Sequence, residues 1–145
     1  AMHRAIGNVF RQPLYKHPQT GRSRDDLVTM FDDLAHWAAT PAHRSLLRVA
    51  IAESERFPDI HMKYTYSKGV CVVTPIEELI SKGILHGSFK KHDFAQASRQ
   101  FVAMIMGQVQ QQANSNNLQD LEKNILDISR QAANLFLDAY CLAEK

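Results

Sequence analysis

Apolar residues recur along most of this chain at steps of three and four, the spacing that places them on one face of a helix. In residues 1–22, Ile6, Val9 and Phe10 fit one short helical face, and Pro13, Pro18 and Gly21 punctuate the loop after it. From residue 23 to 39, Leu27, Phe31, Leu34 and Ala38 form a stripe with Trp37 at its edge. Ser23 followed by Asp26 resembles a capping arrangement at the start of that helix. Thr40-Pro41 reads as an N-cap followed by proline at the first helical position. It opens a helix expected to run to Phe57, because the residue before Pro58 avoids helical geometry.

Residues 59–82 are less regular. Cys71-Val72-Val73 alone reads as a strand, but it has no partner strand, and Thr74-Pro75-Ile76-Glu77 is a helix start. The segment is therefore expected to be one helix kinked or restarted near Pro75, with Gly83 as its C-cap. A further helix spans 93–113, with Phe94, Ala97, Phe101, Met104, Ile105 and Val109 on one side. After a polar turn at Asn114-Ser115-Asn116-Asn117, a last helix runs from Leu118 to about Ala143. Its seam of Leu118, Leu121, Ile125, Ile128, Ala132, Leu135, Ala139 and Leu142 alternates steps of three and four, a heptad pattern. Leu126, Phe136, Leu137 and Tyr140 add apolar surface outside the seam, so the helix has more than one face to cover. The expected fold is all-α, an antiparallel bundle of five to six helices.

With 145 residues the chain is long enough for one domain with a sizeable core, and a net charge of +2 excludes a polybasic nucleic-acid binder. The cations do gather at one end: Arg4, Arg11, Lys16, Arg22 and Arg24 precede Asp25, the first acid, which reads as a basic, solvated tail. Two cysteines far apart make no disulfide framework and suit a reduced, cytoplasmic protein. No apolar run reaches the length of a membrane span.

Enzyme signatures are missing: no phosphate-binding glycine loop, G-x-S-x-G, H-E-x-x-H or C-x-x-C occurs. None of the seven histidines has a partner four residues away, so neither a metal site nor a cofactor nor catalytic residues are expected. Glu53 sits in an apolar stretch near Arg48 and Arg56; it suits either a cationic ligand or a structural ion pair. The middle helices carry Trp37, Phe57, Met62, Tyr64, Tyr66, Phe101, Met104 and Met106. That set suits a small-molecule pocket with polar tips, while its periodicity by itself favours an ordinary core.

From Arg48 to Asp59 the run Arg48-Val49-Ala50-Ile51-Ala52-Glu53-Ser54-Glu55-Arg56-Phe57-Pro58-Asp59 resembles the regulatory domain of TetR/AcrR-type transcriptional regulators, in particular the AefR-like C-terminal group. Asp93-Phe94-Ala95-Gln96-Ala97-Ser98-Arg99-Gln100-Phe101 resembles the start of that group's penultimate helix. Ala133-Asn134-Leu135-Phe136-Leu137-Asp138-Ala139-Tyr140 resembles its last. The likeness spans about residues 25–143. It implies a TetR C-terminal-domain-like bundle in which the last two helices pair with those of a second copy. The interface would use Phe94, Phe101, Ile105, Leu121, Ile125, Ile128, Ala132, Leu135, Phe136 and Ala139. It also implies a pocket for a small apolar or amphipathic effector, lined by Trp37, Phe57, Met62, Tyr66, Val70, Phe101 and Met104, with Glu53 as a polar contact. Such regulators begin with a helix-turn-helix module, and no such module is found here. Residues 1–22 are thus expected to be a basic linker with a short helix, and 23–145 the effector-binding and dimerisation domain of a repressor. DNA contact would come only through a module absent from this chain. A stand-alone helical protein–protein interaction module, using the last helix's seam, is the alternative.

Overall fold

The computed structural model describes residues 2–11, 13–114 and 120–142. Seven α-helices occur among them: α1 (Met2–Arg11), α2 (Ser23–Ala38), α3 (Pro41–Ala52), α4 (Pro58–Lys68), α5 (Thr74–Leu85), α6 (Phe94–Asn114) and α7 (Leu121–Tyr140). A π-helical turn, Gly69–Val73, joins α4 to α5 without a break, so the chain forms six rods. The predicted all-helical bundle is what the residues build. Among the described residues the only β pairing is an isolated antiparallel bridge between Phe89 and Cys141. None of the helices is long and apolar enough to cross a membrane. The Leu118 start of the last helix, the turn residues Ser115, Asn116 and Asn117, and Ala143 lie outside the described residues.

Helix α2 is the centre. Its stripe Leu27, Phe31, Leu34 and Ala38 is buried, and so are Met30, Ala35 and Trp37 on neighbouring faces. A helix apolar on more than one side must be covered on more than one side, and α5, α6 and α7 all pack on it. The Ser129 hydroxyl of α7 donates to the Asp32 carboxylate of α2, which fixes the rotation of one rod on the other.

The N-terminal segment is no solvated tail. Ile6 and Phe10 of α1, and Leu14 after it, are buried in the same core, and α1 lies across α3 and α4. Two buried acids of α2 hold the loop between α1 and α2. The Asp33 carboxylate accepts from the backbone N–H groups of Lys16 and His17 at 3.1 and 3.3 Å, and its other oxygen lies 2.8 Å from His17 Nδ1. Asp26 accepts from the Thr20 N–H and hydroxyl, both at 2.8 Å, and from the Gly21 N–H at 3.1 Å. Gly21 has φ of +85°, a left-handed turn that glycine adopts without steric cost. Asp26 thus reaches back beyond Ser23 rather than bonding to it. The Tyr15 hydroxyl donates to the Val72 carbonyl at 2.6 Å, so the loop also clasps the π turn. Burial holds that phenol well above its ordinary pKa, with the Asp33 charge adding to the shift.

The bend near Pro75 occurs as a π turn just before it. Proline has no N–H, and its ring crowds the carbonyl four residues back. Widening the preceding turn relieves both, and Thr74 bonds back to the Gly69 carbonyl through its N–H and, at 2.9 Å, its hydroxyl. Helix α3 stops at Ala52, five residues before the Phe57 end expected from Pro58. The Ser54 hydroxyl takes the Ile51 carbonyl at 2.9 Å, a local bond that competes with the helical ladder.

Gly83 is not a C-cap. It lies inside α5, and the helix closes through the Ser88 N–H on the Gly83 carbonyl at 2.8 Å and the Gly87 N–H on Ile84 at 3.1 Å, with Gly87 at φ +81°. That is the Schellman arrangement. Gly83 instead makes room for the Phe89 ring: a Cβ there would lie 2.4 Å from Phe89 Cδ2. Phe89 is fully buried and cannot swing away. Gly83→Ala is expected to destabilise the fold by about 1–3 kcal/mol through overpacking, seen as a lower urea midpoint with an unchanged slope.

Candidate functional site: a cleft between α3 and α6

Helix α3 begins as its sequence dictates. The Thr40 hydroxyl accepts from the His43 N–H at 3.3 Å, and Pro41 fills the first turn. Capping fixes the helix phase, so His43, Leu46 and Ala50 face inward. The adjoining flank carries Arg44, Leu47, Arg48 and Ile51 and faces α6 across an open cleft of about 350 Å³. Met106, Gln110 and Ala113 form the opposite wall. Most of the lining is aliphatic, and the polar side chains are the two guanidiniums, the Gln110 amide and the His43 ring; no carboxylate lines the cleft. Arg44 reaches 3.4 Å from the Ala113 carbonyl, across the cleft's end.

His43 is the floor of this cleft. Its ring stacks on Trp37 with centroids 4.2 Å apart. Nδ1 lies 2.9 Å from the Ala38 carbonyl, an acceptor only, so Nδ1 carries the proton. Nε2 then accepts from the Tyr64 hydroxyl at 2.8 Å. Both ring nitrogens are occupied, so His43 offers no free polar atom to the cleft. Burial pushes its pKa below the ordinary histidine value, against the opposing effect of the Ala38 bond, and Lys68 adds to the lowering. The same burial raises the Tyr64 phenol above its usual range.

A second cavity of about 410 Å³ lies between the α4–α5 bend and α6. Its charged groups are mixed: Lys68, Glu77 and Arg99. Among the described residues no three His, Cys, Asp or Glu side chains converge as a metal-binding group.

The residues expected to line one pocket do not meet. Met62 and Tyr66 are 66% and 69% exposed on the outer side of α4, and Phe57 and Val70 are also on the surface. Trp37 and Phe101 are sealed in the core. Glu53 and Met104 are half-buried and line neither cavity. The inward side of α4 belongs to Tyr64 and Ser67. Helix α4 carries apolar residues on two sides, so its spacing does not choose which side turns inward. The Arg56 guanidinium sits over the Phe57 ring, 5.3 Å from its centroid, at the start of the outer side. The missed residues on α3 had a visible signal: Arg44, Leu47, Arg48 and Ile51 share a flank at steps of three, one and three.

The expected interface also divides. Phe101, Ile105, Ile125, Ile128, Ala132 and Phe136 are buried within this chain's own core and have no surface to offer a second copy. Leu121 is half-buried; Phe94, Leu135 and Ala139 are exposed. A strict heptad keeps one face only if the helix supercoils. In a straight helix the seam drifts by about 20° per heptad, roughly 40° from Ile125 to Ala139. The core therefore follows Ile125, Ile128, Ala132 and Phe136, while Leu135 and Ala139 rotate outward.

Comparison with known proteins supplies the wider setting. A family model described as the AefR-like transcriptional repressor, C-terminal domain, matches residues 25–142. No curated protein matches the chain. Among solved structures, the fold is similar to that of a TetR-family transcriptional regulator from Mesorhizobium loti MAFF303099, with a TM-score of 0.69 and 14% sequence identity. That alignment covers 97% of this chain and 68% of the other. At such identity the likeness is one of fold.

Proposed function

The chain belongs to the AefR-like C-terminal domain family of TetR-type transcriptional regulators, which are not enzymes, and from that premise we propose that it is a repressor's sensing and dimerisation domain. It takes a small apolar or amphipathic molecule in the α3–α6 cleft. It pairs with a second copy through the outward side of α6 and α7. The pair carries the signal, in the cytoplasm, to the DNA-binding modules of the regulator. The observation that supports this most is the double duty of α6. Its Met106, Gln110 and Ala113 line the cleft, while Gly107 is exposed on the adjoining flank. A molecule that spreads the cleft thereby moves a helix of the pairing face, and a ligand that prefers one spacing shifts the population of that state. Gly107 lets a partner helix come close to α6, and Leu135 and Ala139, one turn apart on the same flank of α7, supply apolar contact area.

The test is light scattering. The chain is expected to run as a dimer, and Leu135→Arg as a monomer. Because Leu135 is half exposed within its own chain, the variant is expected to keep the helical circular dichroism of the wild type, so that loss of the dimer is not loss of the fold. A wild-type monomer at high concentration would remove the dimer from this reading and favour a stand-alone interaction module.

A further inference from the structure

We infer that the α3–α6 cleft selects an amphipathic monoanion, a molecule with an apolar body and a single carboxylate-like head bound between Arg44 and Arg48. This rests on the reading of the cleft as the ligand site and adds the charge of the ligand. Arg44 and Arg48 stand one helical turn apart on the same flank of α3. Like charges at this spacing repel. Among the described residues neither forms an ion pair with an acid, and the cleft lining contains no carboxylate. The remaining contact of Arg44 is the long 3.4 Å approach to the Ala113 carbonyl, which leaves most of its five donors unused. A guanidinium presents a planar fork that matches a carboxylate through two parallel bonds.

Beside this pair the lining is aliphatic, with half-buried Leu47 and exposed Ile51 on α3 and half-buried Met106 on α6. The volume of about 350 Å³ falls within the range of small-molecule sites. His43 has both ring nitrogens occupied, so the floor offers an apolar ring face and no competing polar group. The second cavity lacks this one-signed character, since Glu77 lines it along with Lys68 and Arg99. Charge therefore picks the α3–α6 cleft for an anion.

The experiment compares decanoate, decanol and decyltrimethylammonium, three probes with one tail and different heads, by isothermal titration calorimetry on the whole chain below micelle-forming concentrations. Decanoate is expected to bind at least tenfold more tightly than decanol and to raise the melting temperature, with the cation weakest. R44Q/R48Q should bring decanoate down to the affinity of decanol, while R44K/R48K keeps most of the difference. Both changes lie at the cleft's mouth, and circular dichroism melts without ligand confirm that the variants fold. Ala52→Trp, which fills the cleft from its exposed rim, should abolish binding of both decanoate and decanol. Equal affinity for decanoate and decanol, or full decanoate affinity in R44Q/R48Q, overturns the anion preference. If binding is still lost in Ala52→Trp, the cleft stays a ligand site for neutral molecules. Failure of all three probes and of a wider apolar panel overturns the ligand reading together with the anion.

Discussion

Phe136→Ala is expected to remove about 3–5 kcal/mol of stability, the range for deleting a fully buried aromatic ring. Phe136 has no exposed surface and sits where four elements meet. Its ring lies 5.3 Å from Phe101 and 5.1 Å from Phe89 between centroids, both edge-on. It lies 6.4 Å from Phe31 and 5.0 Å from Tyr140. Edge-to-face pairs add to the burial itself. Truncation leaves a void bounded by stiff rings that cannot slump into it, and the cost of a cavity grows with the volume left unfilled. A domain of this size has a total stability on the order of 5–15 kcal/mol, so the variant should unfold at a much lower urea concentration. Phe136→Leu keeps much of the volume and should cost clearly less. A loss under about 1 kcal/mol for the alanine variant, well below the range for such truncations, would mean that α7 does not dock on α2 as described. The effect is global, yet it bears on function, because the docking of α7 decides which of its residues face outward.

The helices themselves were legible because their ends are written in short-range chemistry. Thr40-Pro41 places a hydroxyl and a missing N–H where a first turn needs them, and Thr74-Pro75 marks the restart after the bend. Central α2 was legible as well, since its stripe is regular. What was not legible depends on partners distant in sequence. Asp26 and Asp33 look like solvent-facing acids of an amphipathic helix, but they are buried and collect backbone N–H groups from residues 16–21. Nothing in the composition of that basic, proline-punctuated loop announces that two carboxylates will organise it. The outer side of α4 fails for another reason: Met62, Tyr66 and Val70 make as good a stripe as Tyr64 and Ser67 make a core face. Only the neighbour that covers one side, α1 through Phe10, settles the choice; its ring lies 5.5 Å from that of Tyr64. The cleft was missed because two arginines on a helix flank read as solvated surface until the facing helix is known.

His43→Ala is expected to cost about 2–4 kcal/mol near neutral pH, and that cost should shrink as the solution is acidified. The change leaves the Tyr64 hydroxyl and the Ala38 carbonyl without their partner, each worth about 1–3 kcal/mol if not rehydrated. It also removes the ring stacked on Trp37. The pH dependence comes from linkage. Burial lowers the pKa of His43 in the folded chain relative to the unfolded one. Below the unfolded value of about 6.5 the unfolded chain takes up a proton that the folded site still refuses. The stabilisation from a neutral His43 is therefore complete above that pH and drains away as pH falls toward the folded pKa. Urea unfolding of wild type and variant at about pH 7.5 and about pH 5.5, on either side of the unfolded value, reads this directly. Contributions common to the two proteins cancel in the difference. The gap between the two proteins should be smaller at the lower pH. A gap that stays constant would mean that His43 is not held neutral between Ala38 and Tyr64, and the floor of the cleft would then have a charge of its own to offer.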